Sequence, residues 1–93
     1  MRVGTLCVDF RIPGSRSLKA KRKVMASLKD RIRARYPVAV AEVGHQELHA
    51  RGQIGVAAVG GEGGLVEQAL DEIQRLIESD VRILVVEAVR DRY

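Results

Sequence analysis

The stretch VGTLCVDFRIPGSRSLKAKRKVMASLKDRIRAR, residues 3–35, decides the fold. Its first nine residues alternate. Leu6, Val8 and Phe10 fall on one face, and Val3, Thr5, Cys7 and Asp9 on the other. A period of two with β-branched content predicts a strand over Val3–Arg11. Pro13-Gly14 ends it, and Ser15 or Ser17 can cap a helix beginning just after them. From Leu18 to Arg35 the period changes. Leu18, Val24, Met25, Leu28 and Ile32 recur at three- and four-residue spacing, which is the apolar stripe of an amphipathic helix. Pro37 stops that helix.

Outward from this unit the pattern repeats with a hairpin inserted. Val38–Val43 reads as a second strand, 44–50 as a polar connection, and Gln53–Val59 as a third strand with Ile54, Val56 and Ala58 on one face. Gly60-Gly61-Glu62-Gly63-Gly64 breaks the chain. Residues 65–78 carry Leu65, Val66, Ala69, Leu70, Ile73, Leu76 and Ile77 along one helical stripe, and Val81–Val89 is the last strand. The order is βαββαβ. With right-handed crossovers it folds as one ferredoxin-like α+β domain, residues 1–93: a four-stranded antiparallel sheet with both helices on one face. The open face is expected to carry Val3, Thr5 and Cys7, together with Ile83, Val85, Glu87 and Val89, while Leu84, Val86 and Ala88 point inward. A face that apolar marks a partner, and a second copy of the chain is the simplest one, so a homo-oligomer through the open sheet is expected.

At 46% hydrophobic and 30% charged residues the composition excludes a disordered chain. No apolar run approaches the length of a membrane span, and Asp9 and Arg11 interrupt the N-terminus too early for a signal peptide. One cysteine, Cys7, cannot form an intramolecular disulfide, so a cytoplasmic protein is the default. Charge is more informative. The net charge is +4, yet residues 11–35 hold ten basic side chains against one acid, Asp30. That segment sums to +9 and the remainder to −5. Such asymmetry points to a polyanionic partner such as nucleic acid.

Helical geometry sets Lys19, Arg22, Lys23, Lys29 and Arg33, with Asp30, in an arc of roughly 120° opposite the apolar stripe. These five cations are the candidate phosphate contacts. Lys21 projects from the apolar half instead. Phe10, Tyr36 and Tyr93 are the only aromatic residues, too few for a sheet that stacks bases, so RNA contact would run through the helix. Glu42, in the second strand, is placed to pair with Lys21 or Arg22. His45, Glu47 and His49 alternate along one segment, a spacing that could suit zinc but lacks a fourth ligand and is not a metalloprotease helix. The glycine-rich loop reads as a turn: no lysine comes after it, and Glu62 and Glu67 oppose an anion there. No catalytic constellation or cofactor motif stands out, and Cys7 has no predictable base.

Ser17-Leu18-Lys19-Ala20-Lys21-Arg22, then Val40-Ala41-Glu42-Val43-Gly44-His45-Gln46-Glu47-Leu48 and Arg51, resemble the YlxP-like family of small bacterial proteins over essentially the whole chain. The resemblance implies a ferredoxin-like fold. It also implies a role around ribosomal RNA or the small ribosomal subunit, because genes of the family tend to lie among those for translation initiation and ribosome maturation. The shared pattern falls on Ser17, Leu18, Lys19, Lys21, Arg22, Glu42, His45, Gln46, Leu48 and Arg51. Of these, Lys21, Glu42, His45, Gln46 and Arg51 make a candidate recognition corner. The chain departs at Glu47, where aspartate is common, and at His49, where relatives often show tryptophan, which weakens a metal role for His45, Glu47 and His49. The leading expectation is an RNA- or ribosome-associated binding protein. A dimeric module that senses a small ligand is the alternative, and a metal-assisted enzyme is a more distant one.

Overall fold

A computed structural model describes all residues, 1–93. The strand periodicity becomes β1, Arg2–Arg11, and the helical stripe becomes α1, Leu18–Arg35. Then come β2, Ala39–Gly44; β3, Arg51–Gly60; α2, Gly63–Glu78; and β4, Leu84–Arg92. The sheet order is β2-β3-β1-β4 and every neighbouring pair is antiparallel. This is the ferredoxin-like α+β arrangement expected from the βαββαβ order. No helix is long and apolar enough to cross a membrane.

β1 is the central strand, paired with β3 from Arg2↔Gly60 to Arg11↔Arg51. Its even-numbered side chains Leu6, Val8 and Phe10 are fully buried under the helices, beside Ile54 and Val56 of β3. Met25, Leu28 and Ile32 of α1, and Val66, Leu70, Ile73 and Ile77 of α2, close the core from above. Glycines in the sheet leave room for large side chains, those of the helices included: a Cβ at Gly4 would lie 2.8 Å from Val66 of α2. A Cβ at Gly52 would lie 2.7 Å from the Phe10 ring. Ser17 caps α1, accepting from the Ala20 N–H at 3.0 Å. This satisfies one of the N–H groups that a helix start leaves free.

α2 begins at Gly63, two residues before the expected start, because the first helical turn needs no intrahelical donors and so tolerates glycine. β4 is the larger correction. It starts at Leu84, not Val81. Asp80 to Ile83 form a turn, in which the Asp80 carboxylate accepts the Arg82 N–H at 2.9 Å and Val81 is left in solvent. The facing of β4 is also inverted over its first half. Phe10 pairs with Val85, but its neighbour Asp9 pairs with Glu87, so Val86 is an extra residue in the ladder. Such a bulge reverses the alternation at that point. Ile83 is therefore buried and Val85 packs on the core, whereas Leu84 and Val86 are exposed. Ala88 faces in, and Glu87 and Val89 face out, as expected.

Candidate functional site

Lys21 lies one turn into α1, on the side that meets the sheet edge, and only 2% of it is exposed. A buried ammonium needs partners. Its Nζ donates to the His45 carbonyl and stands 3.3 Å from Glu42 Oε2. Glu42 sits on edge strand β2, opposite Ile54, and turns its side chain toward α1. Its Oε2 is shielded from solvent without an aligned hydrogen bond, so the contact with Lys21 is an ion pair only.

The β2–β3 loop is held from the other side by β1. His45 is the one non-glycine residue with positive φ, 57°. Histidine is among the residues that tolerate this left-handed conformation. Its carbonyl also accepts the Leu48 N–H at 3.0 Å, and its Nε2 lies 2.9 Å from Asp9 Oδ2. The other Asp9 oxygen accepts from Arg51 Nη2 at 2.7 Å. Burial pushes the Asp9 carboxyl up. Hydrogen bonds from Arg51 and His45 outweigh that push and hold it below the usual aspartate range. His49 Nδ1 lies 3.1 Å from the Ser15 carbonyl, and Ile12 N–H donates to Ala50 at 2.9 Å. The loop is thus stitched to the end of β1 and the start of α1.

The structure brings Lys21, Glu42, His45 and Arg51 into one network, with Asp9 as the hub that sequence reasoning missed. Gln46 is exposed beside it, lining a cleft of about 280 Å³ between α1 and β2 together with Lys21, Arg22, Lys29 and Glu42. Of the helix cations, Lys19, Arg22 and Lys23 are exposed and no carboxylate pairs with them. Lys29 is half-buried. Arg33 donates to the Val40 carbonyl at 3.0 Å and so also covers part of the open edge of β2.

A model of the family described as "Protein of unknown function (DUF503)" matches residues 3–90. The chain belongs to that family. No curated protein matches it. The match reaches into every element of the DUF503 fold described above, so the corner and the basic helix both lie within the family's own domain.

Elsewhere in this DUF503 chain, His45 and His49 direct their rings to different partners, Asp9 and Ser15, and His, Cys, Asp and Glu form no group of three that could hold a metal ion. The Cys7 thiol lies on the open sheet face. Burial, then the nearby Asp9 and Glu87 charges, push it up, opposite to what a reactive thiolate needs. Two further charged clusters went unread in the sequence. Buried Asp80 is gripped by Arg82 at 2.6 Å and Arg31 at 3.3 Å, tying the α2–β4 turn to α1. Arg82, hydrogen-bonded first of all, holds that carboxyl low. Arg90 on β4 meets Asp71 at 2.6 Å and Glu67 at 3.2 Å on α2. Both clusters cement elements together.

Proposed function

We propose that this protein binds RNA through the exposed cations of α1, in the setting of the small ribosomal subunit. One observation carries the reading. Arg31, Arg51, Arg82 and Arg90 are all spent on internal ion pairs, whereas Lys19, Arg22 and Lys23 stand unpaired on one exposed helix surface. Unopposed cations on one helix face attract a phosphate backbone and release counterions when they meet it. The resemblance of the Ser17–Arg22 and Val40–Leu48 segments to YlxP-like proteins supports the ribosomal setting. Under this reading the Lys21–Glu42–His45 network positions the helix, and Arg22, Lys23 and Lys19 contact the strand.

The test is co-sedimentation with purified small subunits and with naked ribosomal RNA across a salt series. Salt-sensitive binding to the subunit, weakened by R22E/K23E, is the expected result. No binding at about 50 mM salt, or binding that survives both high salt and the double reversal, overturns it.

A second reading concerns the open sheet face, where Val43, Val59, Leu84, Val86 and Val89 are each about half exposed or more. A second copy of the chain is the occupant we favour. A two-fold axis through this face buries the same apolar side chains of both copies.

A further inference from the structure

Resting on the RNA-binding reading, we infer that the cleft between α1 and β2 takes one unpaired nucleobase of the bound strand, and prefers a base that carries an exocyclic amino group over uracil. The cleft measures about 280 Å³, just below the range of pockets for drug-sized ligands, which suits a single ring system. Its apolar surface comes from Leu18, Met25 and Ala26, its rim from Arg22 and Lys29, and its polar wall from Glu42, with Lys21 behind it and Gln46 beside it.

Glu42 gives the site its chemistry. Lys21 holds Oε2 from beneath at 3.3 Å and anchors the side chain. The side chain is nonetheless 24% exposed, and Oε1 makes no hydrogen bond within the protein. A carboxylate anchored in the wall by Lys21 repels a phosphate from that wall. It is well suited to a base N–H donor whose own phosphate rests on Arg22 or Lys29. Carboxylates accept from the amino group of cytosine in this way. Adenine and guanine also offer amino donors, whereas the single N–H of uracil lies between two carbonyl oxygens that a carboxylate repels. Single-stranded RNA splays its bases so that these edges can be read.

The experiment is fluorescence anisotropy with short oligo-C, oligo-A and oligo-U at fixed low salt, on the wild type, A26L and E42Q. Ala26 is exposed at the cleft mouth and leucine is a good helix former, so A26L fills the cleft without removing a charge. The wild type is expected to bind oligo-C and oligo-A about tenfold more tightly than oligo-U. A26L should erase that preference while leaving the salt dependence unchanged, and E42Q should reduce it as well, with a lower melting temperature for the RNA-free protein because buried Lys21 loses its counter-charge. Equal affinity for oligo-C and oligo-U, or a preference that A26L leaves intact, overturns the cleft assignment and spares the RNA-binding reading. No binding to any oligonucleotide at low salt overturns both. If free cytidine monophosphate competes as well as oligo-C does, the ligand is a free nucleotide and the strand assignment fails.

Discussion

His45 Nε2 stands 2.9 Å from Asp9 Oδ2, and that single contact joins residues 36 positions apart into one structural corner. Asp9 belongs to the central strand, and His45 to the loop whose carbonyl receives Lys21. The loop thereby links the sheet to the first turn of the basic helix.

Acid should weaken this corner in a defined window. The carboxyls of Asp9 and Asp80 both sit lower in the folded protein than in an open chain. Each therefore contributes stability that is complete above the ordinary aspartate value of about 3.9 and is lost as pH falls through the lowered folded value. Urea midpoints are expected to be level from neutral to about pH 5 and to fall steeply below about pH 4. D9N/D80N should start less stable at neutral pH and fall less steeply. An acid slope unchanged in the double variant would contradict this assignment.

Breaking the Lys21–Glu42 pair from the lysine side should be costly. K21A leaves the shielded Glu42 oxygen without its counter-charge and the His45 carbonyl without its donor. A loss of about 2–4 kcal/mol is expected, short of the full cost of an uncompensated buried charge because Glu42 is partly exposed. At about 4–8 °C per kcal/mol, the melting temperature falls by about eight degrees or more. K21M/E42L should recover much of the loss, and a double-mutant cycle reads the coupling directly. Additive single effects would mean that the two residues do not act as a pair.

Gly52 should resist replacement. Its missing Cβ leaves room for the Phe10 ring, which is wholly buried and approaches to 2.7 Å of where that atom would stand. G52A is expected to cost about 1–3 kcal/mol through overpacking. F10L/G52A, which trades ring for methyl, should be more stable than G52A alone. Thermal unfolding of the three variants decides the matter.

Removing helix cations should change the salt dependence as well as the affinity. Deleting one phosphate-binding cation lowers the slope of log K against log salt by about 0.7 for a single strand. K19Q, R22Q and K23Q are expected to lower it one after another, for every RNA sequence alike. R31Q, whose side chain already pairs with Asp80, should leave the slope near the wild-type value. If R31Q acts as strongly as R22Q, the binding surface lies elsewhere.

The apolar sheet face makes the oligomeric state measurable. Val59 is 61% exposed on β3. If two copies pair through this face, sedimentation equilibrium should find a dimer in the wild type and a monomer in V59K, with a melting temperature that no longer depends on concentration. A wild-type monomer at high concentration removes the second reading.

Much of the fold was legible in local pattern. The helix stripe placed α1 at Leu18–Arg35, and the alternation of Leu6, Val8 and Phe10 named the inner face of β1. The ion pair at Glu42 was anticipated with either Lys21 or Arg22, and the fold selects Lys21. Asp9 was read only as an outward strand residue, because its partners His45 and Arg51 come from a different hairpin. Asp80 lacked any signal, since its grip on Arg82 and Arg31 depends on a turn meeting α1.

The sequence by itself determined whatever depends on near neighbours along the chain: the periods that make strands and helices, a serine cap at Ser15 or Ser17, the halt at Pro37, and the crowding of cations on α1. Hydrophobic spacing and backbone sterics act over a few residues and need no other information. Only the tertiary structure decided which way β4 faces, because the Val86 bulge arises from its register against β1. It alone assembled the Asp9 corner and the α1–β2 cleft. Those depend on atoms brought within about 3 Å by packing of the whole domain, and hydrogen bonds and ion pairs act only at that range.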